Sequence, residues 1–233
     1  MFFLAGLAWF SRGIDFPPFY HPDEINKVVQ IQKNERNFNH PQLMLNSAAL
    51  LYWAGGSPKS TLQTAKITRW VSVIFAAATV AMLSYVAWLL TGTLLAQLLC
   101  GWLVLTTPKL FELAHYLKED PALAAGFALV YLTAVLYFRK QDNFRAVAMG
   151  AAAGLVVSAK YIGIFPALLA FIAVVFAPGP ERAGWRHVWY FLGACALTLA
   201  ITNWQIFFQP SVFQHGLGRE INLFEERQNR SSI

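Results

Sequence analysis

Two pairs of adjacent acids are the residues of this sequence that are best suited to chemistry. Asp23 and Glu24 stand in the stretch FYHPDEINK, which follows a short apolar segment. Glu119 and Asp120 stand in HYLKEDPAL, ahead of a long apolar run. A carboxylate can accept a proton, bind a cation or hold the hydroxyls of a sugar. Each pair also has a structural interpretation, because acids beside a proline suit the first turn of a helix.

Two basic residues could act on a substrate together with these acids. Lys160 interrupts the apolar stretch GLVVSAKYIGIF, and Arg69 lies near the start of another apolar run. Either cation could bind a phosphate group, and we expect both to line a substrate site with Glu119 and Asp120. The alternative is that their charged ends only reach the membrane surface while their apolar stems stay buried.

Three histidines accompany the acids, namely His21, His40 and His115. We expect His21, which precedes Asp23 by two residues, to line the substrate site. A divalent cation is an open alternative, with Asp23, Asp120 and His115 as its candidate ligands. The spacings match no compact zinc signature, and the sequence indicates no other cofactor.

The composition indicates a membrane protein. The chain has 233 residues, of which 57% are hydrophobic and 13% are charged, whereas a soluble domain carries about 25% charged residues. The net charge of +6 does not indicate a nucleic-acid partner, because the bases are scattered over short loops. Cys100 and Cys195 fall inside apolar runs, where a small buried side chain is a simpler interpretation than a disulfide or a metal site.

These features predict an all-α fold, a polytopic bundle of about seven transmembrane segments that forms a single domain over residues 1–233. Gly150 and Gly154 lie four residues apart in one apolar segment, which favours close packing between helices. The predicted segments are 1–14, 67–90, 94–108, 121–138, 146–158, 161–177 and 188–208.

Two regions do not fit a simple membrane span. As one helix, residues 146–177 would measure about 48 Å, which exceeds a hydrocarbon core of about 30 Å. Lys160 would also lie near its middle, where a charge is costly, so we predict two shorter helices that meet at this residue. Residues 43–54 are apolar but too short to span, and we expect an interfacial or re-entrant helix inside the first outer loop, 15–66.

The distribution of charge predicts the orientation of the bundle. If the segments alternate, both acid pairs and the turn at Lys160 lie on one side of the membrane. The short loops on the other side, RKQDNFR and ERAGWRH, are dense in Lys and Arg, which is typical of cytoplasmic loops. We therefore expect the acids on the extracytoplasmic face of a plasma (inner) membrane or of an ER-like membrane.

Several motifs, taken in order along the chain, resemble a known family. HPDE in the first loop, NHPQL, HYLKEDPALAAGFALVYL, GLVVSAKYIGIF and QPSVFQHGLGREINLF are similar to stretches of the polytopic GT-C glycosyltransferases. The nearest relatives would be family 39-like enzymes, which include protein O-mannosyltransferases and the aminoarabinose transferases of lipid A. Members are usually about twice as long, so the resemblance implies an N-terminal portion, with 209–233 as the start of a truncated outer loop.

The resemblance implies an inverting transfer of a sugar from a polyprenyl-phosphate donor to an acceptor hydroxyl at the extracytoplasmic face. Asp23 would be the general base, and Glu24 would support it. Asp120, together with Glu119, would place the donor or the acceptor or help to bind a cation, and Lys160 would neutralise the phosphate of the donor. The acceptor is unidentified, and a C-terminal half or a second copy of the chain is an expected partner in the bilayer.

Two other functions compete with this hypothesis. A transporter or channel subunit could use Lys160 as a charge within the membrane, along the path of a substrate. A transporter would concentrate its functional charges at mid-membrane, whereas the acids here gather at one surface. A non-catalytic assembly protein could keep the same fold, and only a measurement of activity separates it from an enzyme.

Overall fold

The computed structural model describes residues 1–17, 21–177 and 185–231, and these form helices without any strand. The predicted all-α fold is therefore confirmed. The helices are α1 (Phe2–Phe10), α2 (Pro22–Lys33), α3 (Leu43–Ala54), α4 (Thr61–Thr91), α5 (Leu94–Leu105), α6 (Pro108–Ala114), α7 (Glu119–Arg139), α8 (Asn143–Ala159), α9 (Ile164–Phe176), α10 (Trp185–Thr202) and α11 (Pro210–Ser231), with 3₁₀ turns at Tyr161–Gly163 and Trp204–Phe207.

Two helices of the described chain are long and apolar enough to cross a membrane by themselves. They are α4, with 31 residues, and α7, with 21 residues. A third candidate span is the pair α5 and α6, which is bent by 58° at its break. Two of the other predicted segments, at α8 and α9, are shorter apolar helices, and the whole is a polytopic helical bundle, as the sequence predicts.

The predicted break at Lys160 is confirmed. Helix α8 ends at Ala159, and Lys160 has an extended backbone with φ −159° and ψ 146°. A 3₁₀ turn then leads into α9. Gly163 allows the turn to lie against α8, because a Cβ atom at this position would stand 2.0 Å from the carbonyl oxygen of Val156.

Helix α8 occupies the centre of the largest core cluster. Its buried face, which includes Met149 and Val156, packs against α7, α9 and α10. The two glycines of α8 permit the close approach that the sequence predicts. A Cβ atom on Gly150 would stand 2.2 Å from the carbonyl oxygen of Phe191, and one on Gly154 would stand 2.8 Å from that of Cys195.

The first loop contains two helices that lie against the bundle. The predicted helix at 43–54 is present as α3, which buries Met44 and Ala48 in a cluster with Ala65 of α4. The opposite side of α3 is exposed at Trp53, as expected for a helix at a membrane interface. Residues 210–231, in the region expected to begin an outer loop, form the helix α11.

At the end of the bundle away from the acids, three helix ends meet. A guanidinium nitrogen of Arg139 donates to the carbonyl oxygen of Leu89, and the Tyr137 hydroxyl lies 3.0 Å from Nδ1 of His187. The ends of α4 and α7 and the start of α10 therefore share one side, as the alternating topology requires. Residues 181–184 of the predicted basic loop ERAGWRH lie outside the described residues.

Candidate functional site

The first acid pair begins helix α2. His21 is the N-cap, and its Nδ1 accepts a hydrogen bond of 3.3 Å from the backbone N–H of Asp23. Pro22 follows at the first helical position, where a missing N–H costs nothing. This local geometry presents Asp23 to solvent, and its side chain is 63% exposed.

Glu24 faces the opposite way and forms a buried ion pair with Arg69 of α4. Neither side chain has any exposed surface. The pair is bidentate, with 2.8 Å from Nε to Oε1 and 2.6 Å from Nη2 to Oε2. The backbone N–H of Leu117 donates to the same carboxylate at 3.1 Å. Glu24 thus joins three elements, namely α2, α4 and the segment that leads into α7.

Arg69 has no donor left for a substrate phosphate. Its remaining N–H groups donate to the carbonyl oxygens of Ile14 at 2.7 Å, Phe16 at 2.7 Å and Pro17 at 3.5 Å. The guanidinium also stacks 3.8 Å above the ring of Phe16. These contacts use all five N–H donors of the group. The geometry therefore gives Arg69 the role of fixing the loop before α2, instead of the phosphate contact expected from the sequence.

Glu119 of the second pair is buried in the same way. Its Oε2 lies 2.7 Å from Nζ of Lys27 on α2, and the side chains are 5% and 9% exposed. Lys27 also donates to the carbonyl oxygen of Leu117 at 3.3 Å. Removing one partner would leave the other charge buried without a counter-ion. Breaking either pair should therefore lower the free energy of unfolding by about 3–5 kcal/mol.

Asp120 points outward and lies between two lysines. Its Oδ1 is 2.9 Å from Nζ of Lys160, and its Oδ2 is 4.0 Å from Nζ of Lys118. The three side chains are 34%, 27% and 23% exposed for Lys160, Asp120 and Lys118, so a ligand can reach them. The structure thus brings Lys160 to the second acid pair from 40 residues away along the chain.

A basic residue lies beside each aspartate, His21 beside Asp23 and Lys118 beside Asp120. The imidazole of His21 lies 3.9 Å from a carboxylate oxygen of Asp23 and packs 5.3 Å from the ring of Tyr116. Burial, followed by the charge of Lys118, lowers the pKa of His21 below its usual value. A neutral ring agrees with Nδ1 acting as the N-cap acceptor. Lys27 of α2 binds Glu119, the residue before Asp120, and His21 packs on Tyr116, so the two acidic elements are neighbours in the fold.

The expected metal ligands are not gathered in the described part of the chain, where no group of three or more His, Cys, Asp or Glu side chains could hold a metal ion. His115 is 8% exposed, and its ring nitrogens face the carbonyl oxygens of Phe111 at 2.6 Å and of Arg12 at 2.7 Å. These contacts leave no lone pair directed at a cation. His115 instead fastens α6 to the residues after α1.

An apolar groove begins at Asp120 and runs between α4 and α7. It encloses about 350 Å³, and its far end is marked by the exposed Tyr131. Asp120 is the one charged residue of its lining. A groove of this kind suits an apolar chain with a polar end held at the lysines. Its lining consists of Thr79, Leu83, Asp120, Leu123, Ala124, Phe127, Ala128 and Tyr131.

Two basic residues of this site, the buried Lys27 and the half-buried Lys118, are not among the candidates that the sequence suggests. The position of each lysine relative to the acids could have identified it. Lys27 follows Asp23 by four residues, the spacing of neighbours on a helix, and Lys118 directly precedes the second acid pair. The partner of Lys27 was not predictable, because Glu119 is 92 residues from Lys27 along the chain.

A family model described as dolichyl-phosphate-mannose-protein mannosyltransferase matches residues 47–214, which is more than half of the chain. The matched range contains Arg69, Asp120 and Lys160, and it begins after Asp23 and Glu24. The comparisons with curated proteins and with solved structures gave no match.

Proposed function

The chain belongs to the dolichyl-phosphate-mannose-protein mannosyltransferase family, a family of membrane glycosyltransferases, and from this premise we propose how it works. It transfers a mannosyl group from a polyprenyl-phosphate donor to a hydroxyl of an acceptor protein, at the extracytoplasmic face. The observation that carries the proposal is that the exposed Asp23 and the lysine-flanked Asp120 stand in the first turns of α2 and α7, two helices that the Lys27–Glu119 ion pair joins.

The donor would occupy the groove between α4 and α7. The apolar lining, from Leu123 to Tyr131, suits an isoprenoid chain at the depth of the membrane. At the mouth of the groove, Lys118 and Lys160 lie within reach of the donor phosphate. Ammonium groups are compact cations with rotatable donors, so both can turn from Asp120 to a phosphate when it binds.

Transfer then takes place in a single displacement. The acceptor oxygen attacks the anomeric carbon of mannose and forms the glycosidic bond, while the bond from that carbon to the phosphate oxygen breaks. Asp23 takes the proton of the acceptor hydroxyl. The lipid phosphate leaves with an added negative charge, which Lys118 and Lys160 stabilise as it develops. Attack opposite the leaving group inverts the anomeric configuration.

The buried pairs place these groups without touching the substrate. Glu24 with Arg69 fixes the start of α2 and therefore the position of Asp23. Glu119 with Lys27 ties the first turn of α7, and with it Asp120, to the same helix. A misplacement of the base by about 1 Å costs about a hundredfold in rate, so such rigidity serves catalysis directly.

The donor site is tested by removing one lysine charge in purified protein reconstituted into vesicles. We expect Lys160→Gln to raise the KM for dolichyl-phosphate mannose about ten- to hundredfold, because a charge-assisted contact with the phosphate is lost. Lys109→Gln is the matched control, since Lys109 is an exposed lysine that pairs with Glu112 on α6. A donor KM that is unchanged by Lys160→Gln would contradict this phosphate site.

A further inference from the structure

A second, polar pocket lies beside the proposed base. It encloses about 450 Å³ at the end of α2 and over the residues that follow this helix. Its lining is polar apart from one valine, unlike that of the donor groove. The residues that line it are Asn26, Val29, Gln30, Glu35, Arg36 and Asn37.

Arg36 is a buried cation that has only neutral partners. The residue is 8% exposed, and burial lowers the pKa of its guanidinium below the usual value. Nη1 donates to the carbonyl oxygen of Glu35 at 2.7 Å, and Nε and Nη2 share Oδ1 of Asn46 at 3.4 Å. Two of its five N–H donors are left over.

No carboxylate of the described chain forms an ion pair with Arg36. The buried arginine at the first site, Arg69, has Glu24 as its bidentate partner. A buried guanidinium without an anion is unfavourable, and an anionic ligand would complete it. The carboxylate of Glu35 also lines the pocket, but the residue is exposed, so water screens its charge.

The turn that carries Arg36 is held in a fixed shape. Asn34 and Phe38, on either side of it, have positive φ angles of 55° and 52°, which are costly for residues other than glycine. The carbonyl oxygen of Phe38 accepts a hydrogen bond of 3.0 Å from the Tyr161 hydroxyl, and its ring meets that of Phe213 at 5.8 Å. A pocket that is already ordered binds its ligand with less entropic loss.

The pocket lies on the same stripe of α2 as Asp23. Asn26 and Gln30 follow Asp23 by three and seven residues, which places them about one and two helical turns further along one face. Seven residues of helix measure about 10 Å, the length of about three residues of extended peptide. One acceptor can therefore reach the base and the pocket at the same time.

We propose that the pocket of Arg36 binds an acidic side chain of the acceptor protein, three or four residues from the hydroxyl that receives the sugar. The polar lining favours a peptide over a lipid tail, and the side-chain amide of Asn26 suits its backbone. The proposal rests on the proposed function, because it takes Asp23 as the base. It adds a preference among acceptors that the transfer reaction by itself does not require.

The test combines two enzymes with two peptides. The peptides carry one Thr and, four residues away, either Glu or Gln, and the enzymes are the wild type and Arg36→Gln, reconstituted in phosphatidylcholine vesicles. We expect the wild type to have a KM about ten- to hundredfold lower for the Glu peptide. Arg36→Gln should have similar KM values for the two peptides. Arg36→Lys should restore part of the preference, because it returns a positive charge to the pocket. That result would also show that the loss in Arg36→Gln is due to charge and not to misfolding.

Arg12→Gln is the control for general charge, because Arg12 is an exposed arginine that stacks on Trp9. It should keep the full preference for the Glu peptide. Equal KM values for both peptides with the wild type, or an unchanged preference in Arg36→Gln, would overturn the pocket assignment while leaving the proposed transfer intact.

Peptide binding without donor separates this inference from the proposed function. Fluorescence anisotropy of labelled peptides should show the same preference for Glu in the wild type and its loss in Arg36→Gln, even if no sugar is transferred. Absence of transfer to either peptide would count against the proposed function instead. A contrary outcome is that phosphatidylserine vesicles displace the Glu peptide from the wild type but not from Arg36→Gln. That result would assign the pocket to a lipid headgroup and overturn the peptide proposal.

Discussion

In both acidic dipeptides the glutamate turns inward and the aspartate turns outward. Glu24 and Glu119 are buried in ion pairs with Arg69 and Lys27, whereas Asp23 is mostly exposed. The longer side chain reaches a partner on a neighbouring helix, and the shorter one stays at the surface, where a substrate can meet it. Within each pair, the glutamate therefore fits the structural interpretation, and the aspartate is the member that is available for chemistry.

The sequence could predict that each acid pair stands at a helix start, but not which member of the pair is buried and which is exposed. Acids beside a proline at a helix start are visible in FYHPDEINK, and α2 begins there as expected. The partner of Glu24 lies 45 residues away on α4, and local spacing holds no information on such a contact. For the same reason the sequence suggested a phosphate contact for Arg69, whose donors the fold uses for carbonyl oxygens.

The buried pair predicts a large loss of stability when Glu24 is neutralised. Glu24→Gln leaves Arg69 without its counter-charge, so the free energy of unfolding should fall by about 3–5 kcal/mol. Thermal unfolding in detergent should show a melting temperature lower by about 10 °C. Asp15→Asn, which removes an exposed acid paired with Lys66, should change the stability by less than about 1 kcal/mol. Equal melting temperatures for both variants would contradict a structural role for the pair.

At the scale of the elements, the turn between α8 and α9 delivers Lys160 to the site. The break was predictable, because one helix over 146–177 would be too long and would bury a charge. The 3₁₀ turn and the close approach of Gly163 were not predictable, since they depend on where α8 and the turn meet. The break between α5 and α6 falls just before Pro108, the first residue of α6, and is therefore visible in the sequence, whereas the 58° angle between the two helices is not.

The turn between α8 and α9 should require glycine at position 163, because there is no space for a larger side chain. Gly163→Ala would set a Cβ atom 2.0 Å from a carbonyl oxygen of α8, so the turn must shift, at a cost of about 1–3 kcal/mol. Gly193→Ala on α10 is the matched control, because no atom lies within 4 Å of its added Cβ. That control should be neutral or stabilising by up to about 1 kcal/mol. Similar melting temperatures for both variants would show that the turn does not pack as described.

At the scale of the whole molecule, the bundle separates two ends of different chemistry. The helix ends that carry Asp23, Asp120 and Lys160 lie at one end of the bundle. The helix ends that carry Arg139 and His187 lie at the other. The sequence predicts this separation from alternating segments. Which surface faces the cytoplasm rests on the basic short loops alone and stays a prediction.

Cysteine labelling in intact cells tests the orientation. Lys33→Cys, on the exposed side of α2, should react with a membrane-impermeant thiol reagent. Lys140→Cys, whose lysine is 72% exposed at the opposite end, should react only after the cells are opened. The unsubstituted protein is the background control for Cys100 and Cys195. The reverse pattern would place the acids on the cytoplasmic side.

Replacement of Asp23 tests the central claim most directly, namely that this carboxylate is the base of a mannosyl transfer. In reconstituted vesicles with dolichyl-phosphate mannose and a Thr peptide, Asp23→Asn should lower kcat by at least about a hundredfold, the usual contribution of a general base. Its melting temperature should stay at the wild-type value, because the side chain is 63% exposed. Asp15→Asn, a variant of the other exposed aspartate in the same loop, should keep full activity. Wild-type turnover by Asp23→Asn would contradict the assignment.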